Sequence, residues 1–198
     1  EENDEVGVFA LVGSSTMKEE RYADNLRFFR TSEKVFESSE PIYYPDDEVT
    51  LRLLSYYPYQ EEGVNMVEST MSVAVETDQN LSAGYFCSDF LVASQNLQSA
   101  PKGAIALHYD HKFFKLKIAL VGKEGEELQG ILDADPKLSV CGFYTKAVYD
   151  FQKETYSAFS NEKSITPAGK WEIQGDRLSG KEVILIPQET TLGYQYIV

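Results

Sequence analysis

Val49-Thr-Leu-Arg-Leu-Leu-Ser-Tyr-Tyr57 carries the clearest structural signal in the chain. Side chains alternate across an extended strand, so Val49, Leu51, Leu53, Ser55 and Tyr57 share one face. Thr50, Arg52, Leu54 and Tyr56 share the other. Pro58 ends the strand or places it at a sheet edge, because proline has no N–H for the ladder. Tyr57 is expected inward with the leucines and Tyr56 toward the opposite face.

Period-two patterning recurs on both sides of this stretch. Upstream, Val6 to Val12 is a nearly continuous apolar run closed by Gly13, the pattern of a buried strand. Downstream, Met71, Val73 and Val75 alternate with Ser72, Ala74 and Glu76. Tyr85 to Ala93, Lys137 to Tyr144, Ala147 to Phe151, Trp171 to Ile173, Val183 to Ile186 and Tyr194 to Val198 read as further strand regions. Residues 17–24 (MKEERYAD) are the best helix candidate, and residues 152–169 read as polar and irregular.

Gly103 to Val121 holds a phase change. Ile105, Leu107, Tyr109, His111 and Phe113 keep one phase, whereas Phe114, Leu116, Ile118 and Leu120 keep the other. A one-residue slip turns every later side chain to the wrong face. A β-bulge or a bend between two strands is therefore expected near residues 110–114. About ten short strands with little helix predict an all-β, antiparallel β-sandwich architecture. The expected division is an N-terminal sandwich over residues 1–130 and a partial or small second β domain over residues 131–198.

Composition narrows the function classes. The chain has 18 basic and 32 acidic residues, a net charge of −14. A phosphate-binding surface needs the opposite balance, so nucleic acid and a polybasic membrane contact are excluded as partners. No run reaches the roughly 20 apolar residues of a membrane span. Cys87 and Cys141 could bridge or stay as separate thiols.

Motifs for chemistry are weak. Gly175 to Lys181 matches a phosphate-binding loop, but Glu182 stands where a metal-binding Ser or Thr is needed, and a strand follows instead of a helix. A hairpin turn is the expected reading. His108 and His111 face opposite ways on an extended strand, so they make no metal pair unless the bulge turns one of them. Asp46-Asp47-Glu48 and Asp133-Ala-Asp135 lack a calcium loop's ligand run and read as solvated turns. Asn80-Leu-Ser82 is a formal glycosylation sequon. No catalytic, metal or cofactor site is assigned; a carboxylate hydrolase has no motif behind it, and the chain is read as not an enzyme.

The tyrosine-rich segments carry a resemblance. Ile42-Tyr-Tyr-Pro45, a charged turn, and Leu53-Leu-Ser-Tyr-Tyr-Pro-Tyr59 resemble a signature of the fimbrillin-like proteins of Bacteroidales. Asp4-Glu-Val-Gly-Val-Phe9 is similar to the family's opening. Val75 to Gln79 with Ser88 to Ala93, Leu107 to Ile118 with His111 at the histidine position, and Ile184-Leu-Ile-Pro-Gln188 follow in the family's order. Two features depart from it: Phe113-Phe114 replaces a smaller pair, and only ten residues follow Gln188.

The resemblance implies two tandem transthyretin-like β-sandwiches, the second incomplete here, with the chain a processed form, a fragment or a short member. It implies an exported lipoprotein of the outer membrane and cell surface, anchored by a lipid that this chain does not carry, with the acidic Glu1 to Glu5 suiting an export signal. It further implies a pilus stalk, tip or anchor subunit that binds other subunits or itself by donor-strand exchange, and a host or bacterial surface ligand. Sheet edges are rows of unpaired N–H and C=O groups, which is what such assembly would use. The candidate acceptor walls are the apolar runs of Val6, Val8 and Leu11 and of Val183 and Leu185, although such runs more often mark a central core strand. Arg21, Arg27 and Arg30 are candidate processing points, with ordinary surface arginines the favoured reading. The competing expectation is a surface lipoprotein that binds carbohydrate through exposed Tyr44, Tyr56, Tyr59 and Trp171.

Overall fold

The computed structural model describes residues 4–13, 15–31, 35–45, 49–191 and 193–198. Nearly all regular structure is β, in antiparallel sheets. Three sheets account for it, with strand orders β3-β2-β1-β4-β7-β8, β11-β10-β6-β5 and β12-β13-β9. In chain order the strands are β1 (Glu5–Val12), β2 (Arg21–Arg30), β3 (Phe36–Glu37), β4 (Leu51–Tyr57), β5 (Val64–Asn65), β6 (Thr70–Ala74) and β7 (Leu91–Leu97). Then come β8 (Asp110–His111), β9 (Phe114–Leu120), β10 (Tyr144–Asp150), β11 (Thr155–Glu162), β12 (Glu172–Gln174) and β13 (Arg177–Leu185). Two six-residue helices, α1 (Ser82–Cys87) and α2 (Leu128–Asp133), complete the elements.

Contacts divide the chain into two compact units. The first comprises residues 1–72, 90–112 and 148–157; the second comprises residues 73–89, 113–147 and 158–198. The division expected at residue 130 is therefore not where the contacts divide: both units are discontinuous, and strands β6, β10 and β11 each give residues to both.

Unit 1 is built on the six-stranded sheet. Central β1 pairs with β2 on one side and with β4 on the other. The expected helix at residues 17–24 is instead a turn leading into β2. Helix-forming Lys, Glu and Arg do not decide the conformation there, because pairing with β1 satisfies the backbone of β2 along its length. Asn25, at φ 44°, marks a bulge where the register shifts between Val8 and Ala10.

Both faces of β4 are buried, which is why its sequence is richer in leucine than a half-exposed strand. One face carries Phe9, Leu54 and fully buried Tyr56. Those rings pack with Phe151, and Phe151 continues through Tyr149 to Phe90, with centroid separations of 5.1–6.3 Å. Contrary to expectation, Tyr57 is the half-exposed tyrosine and Tyr56 the core one. The Tyr56 hydroxyl donates to Asn25 Oδ1 at 2.7 Å, so the ring's polar end is satisfied inside the core.

Unit 2 holds the three-stranded sheet. β13 pairs with β9, Val183 facing Leu116 and Leu185 facing Phe114. Gly175 and Asp176 link β12 to β13 in a tight hairpin, Gln174 facing Arg177. Gly175 has φ 65°, so the stretch resembling a phosphate loop is a turn. The phase slip has a clear structural meaning. β8 ends at His111 in unit 1's sheet, a unit 1 segment ends at Lys112, and β9 starts at Phe114 in unit 2's sheet. The chain bends from one sheet into another, so its inward phase is redefined there.

Candidate functional site

A groove of about 860 Å³ lies in unit 1 on the second face of the six-stranded sheet. Its floor follows from the pairing of β1 with β4. Val8 faces Ser55, Ala10 faces Leu53 and Val12 faces Leu51, so Val6, Val8, Leu51 and Leu53 present one apolar surface. Opposite the aromatic core, no regular strand among the described residues covers this surface. Two irregular segments flank it, one through Pro41, Ile42, Tyr43 and Tyr44, the other from Ala100 to Tyr109.

The flanking segments differ from ordinary core packing in one respect. Among the described residues, neither Ser38–Tyr44 nor Ala100–Tyr109 makes a backbone–backbone hydrogen bond. Within the first of them the Glu40 N–H donates to Ser38 Oγ at 3.1 Å, so that segment is held by a side chain and not by a strand. Tyr44 is fixed through its side chain, its hydroxyl lying 2.7 Å from Val49 O and 3.2 Å from Leu97 O. Tyr109 is fixed likewise, its hydroxyl 2.6 Å from Ser55 Oγ, which itself donates to Gly7 O at 3.0 Å. Burial pushes the Tyr109 phenol up, so it stays neutral and available as a donor.

The expected acceptor residues are not one surface. Val6 and Val8 line the groove, whereas Leu11, of opposite parity on β1, points from the other face. Val183 and Leu185 lie in unit 2 and are fully buried. β13 is also occupied along both edges. β9 covers one, while Ala168 exchanges main-chain bonds with Glu182, and the Gln79 side chain takes Ile184. The Gln79 amide donates to Ile184 O and accepts from Ile184 N–H, both at 2.8 Å, as a neighbouring strand would.

The four expected contact aromatics also part ways. Tyr56 and Trp171 are buried, the latter with its indole N–H donating to Pro136 O at 2.8 Å. Tyr59 sits half-exposed beneath the Arg27 guanidinium. Only Tyr44 belongs to the groove. Sequence reading missed exposed Tyr43 beside it, 74% accessible, and Ile42, whose place depends on a loop rather than on a periodic pattern.

Arg21, Arg27 and Arg30 all lie in β2 and pair with Asp24, Glu5 and Asp4. His108 and His111 are exposed, and no metal-ligating cluster occurs among the described residues. Asp135 pairs with Lys137, which holds its carboxyl below the usual range. Asp46-Asp47-Glu48 lies outside the described residues. Cys87 and Cys141 are both free thiols.

The fimbrillin-like family model matches residues 1–198. This chain belongs to the fimbrillin-like family. Solved structures agree at the level of the fold. A candidate cell adhesion protein of Bacteroides uniformis ATCC 8492 superposes with a TM-score of 0.66 at 22% identity, covering 98% of this chain and 72% of that one. A second such protein, of Bacteroides ovatus ATCC 8483, gives 0.65 at 15%, covering 96% and 70%. A fimbrial protein of Bacteroides vulgatus ATCC 8482 gives 0.56 at 17%, covering 92% and 70%. No curated protein matches the sequence. The fimbrillin-like fold thus supplies the frame on which the groove is built.

Proposed function

We propose that this fimbrillin-like chain is a structural or adhesive subunit of surface fimbriae, and that it joins its neighbours by taking an extended strand of another subunit, or of a second copy, into the unit 1 groove. One observation carries this reading. An apolar floor of Val6, Val8, Leu51 and Leu53 is flanked by main chain that has no backbone partner among the described residues. A small apolar ligand would use the floor alone. An extended peptide uses both, with alternate side chains down onto the floor and N–H and C=O groups sideways to the Ser38–Tyr44 flank. Each buried aliphatic side chain contributes about 1.5–3 kcal/mol and each main-chain bond about 1 kcal/mol net, so a short inserted strand binds firmly.

The work is mechanical rather than catalytic in this reading. The protein acts at the cell surface, and the membrane is reached only through a lipid anchor outside these residues. Carbohydrate binding has less support, because Tyr56 and Trp171 present no ring to solvent.

Ile42→Asp tests the proposal. Ile42 stands on a flanking loop, so a charge there leaves the sheet's pairing intact while placing a carboxylate in the strand's path. The expected result is a folded chain by circular dichroism that no longer enters surface polymer. Unchanged incorporation would overturn the proposal.

A further inference from the structure

The groove has a built-in competitor for its own space. β7 pairs with β4 along its whole length, yet on its outer side it pairs with β8 only at Leu91 with His111 and Val92 with Asp110. From Ala93 to Leu97 that outer edge has no strand partner among the described residues. The segment just before β8, Ala104 to Tyr109, likewise has no backbone partner among the described residues, and it lines the groove.

The two unpaired stretches fit each other. Continuing the register of β8 places Tyr109 opposite Ala93, Leu107 opposite Gln95 and Ile105 opposite Leu97. All three incoming side chains would then share the face that carries Leu51 and Leu53, since Leu97 faces Leu51 and Gln95 faces Leu53. Their period-two spacing is the one a strand needs. Instead, Leu107 packs against the cluster of Ala10, Leu51 and Leu53, and Tyr109 is tied to Ser55. Ile105 is left 37% exposed. The segment gives up main-chain bonds in order to cover an apolar floor.

We propose that Ala104–Tyr109 is a displaceable cover of the groove, which zips onto the free edge of β7 in the β8 register when a strand enters. Its trigger rests on the strand-uptake reading above; its two positions do not. An unfilled subunit is thereby protected from exposing its floor, and the incoming strand releases a segment that forms sheet bonds in compensation.

The test is a disulfide between Gln95→Cys and Leu107→Cys, in a chain with Cys87→Ser and Cys141→Ser. These residues would form a non-hydrogen-bonded pair, with Cα atoms about 4.5 Å apart, within disulfide range. The bond is expected to form in a glutathione redox buffer. Fluorescence of the apolar dye anilinonaphthalene sulfonate is then expected to rise about twofold or more over the reduced form, because the floor is uncovered. Failure of the bond to form, or its formation without a dye response, would overturn the proposal. The unmodified chain gives an independent reading by hydrogen exchange: amides of residues 104–109 should exchange freely in the free protein, and protection there would overturn it too. Strand uptake is read separately, from surface polymer formed by the oxidised chain. Failure of uptake alone, with disulfide and dye responses intact, counts against the uptake reading and leaves the cover standing.

Discussion

The ring of Tyr56 lies across Gly7 on the neighbouring strand, so close that a methyl group on Gly7 would meet Tyr56 Cε1 at 2.2 Å and Asn25 Oδ1 at 2.7 Å. Glycine is required at that position because of a side chain, not because of its backbone angle. The arrangement lets β1 carry an aromatic core on one face and the groove floor on the other. Gly7→Ala should push the ring aside, break its bond to Asn25 and cost about 1–3 kcal/mol. Thermal melts would show a drop of about 2–4 °C for each kcal/mol. In a Tyr56→Leu background the same substitution should cost little, which a double-mutant cycle measures.

Alkaline stability follows from the same core. Burial pushes Tyr56 up to about 12 and raises Tyr149 and Tyr156 as well. The folded chain therefore keeps phenolic protons that the unfolded chain releases from about pH 10. The stability held by these groups is complete below pH 10 and is lost as pH rises toward 12. Tyr149 Oη is buried without a hydrogen-bond partner. Tyr149→Phe should thus raise stability by up to about 1 kcal/mol at neutral pH, and flatten the alkaline loss in denaturant titrations.

Gln79→Ala should destabilise unit 2 disproportionately for a polar substitution. It strands both the N–H and the C=O of Ile184 inside the protein, at about 1–3 kcal/mol each. Hydrogen exchange of the Ile184 amide should quicken by orders of magnitude, with amides of the unit 1 sheet unaffected.

Leu185→Asp separates the two apolar runs. Leu185 is fully buried and faces Phe114, so an unpaired carboxylate there should abolish folding of unit 2, seen as lost β signal in circular dichroism. A folded Leu185→Asp chain that fails only in assembly would point to β13 as an acceptor after all.

How legible this was in the sequence depended on burial. Met71, Val73 and Val75 are buried while Ser72, Ala74 and Glu76 are exposed, so one-sided alternation read correctly. The slip at Phe113–Phe114 was visible as a break, but alternation alone does not say that the chain changes sheets. Helices α1 and α2 escaped because each is six residues long and fully buries no residue, so even the Leu128, Ile131 and Leu132 spacing of α2 spans little more than one turn. Residues 17–24 misled in the other direction, since propensity yielded to strand pairing. The groove was half legible. Val6–Val12 and Val183–Ile186 have the same apolar pattern, which reports burial on two faces. Which face lacks a regular cover is decided by distant segments, here the loops at Ile42 and Ile105.

Strand uptake by unit 1 is tested most directly by a photo-crosslinking amino acid at Tyr43, exposed at the groove's rim, in cells that assemble surface polymer. The account predicts an adduct with a single extended segment of another subunit or a second copy, apolar at every other residue, and its loss in Ile42→Asp. Polymer that forms with no adduct at Tyr43, or adducts scattered over unrelated segments, would contradict it.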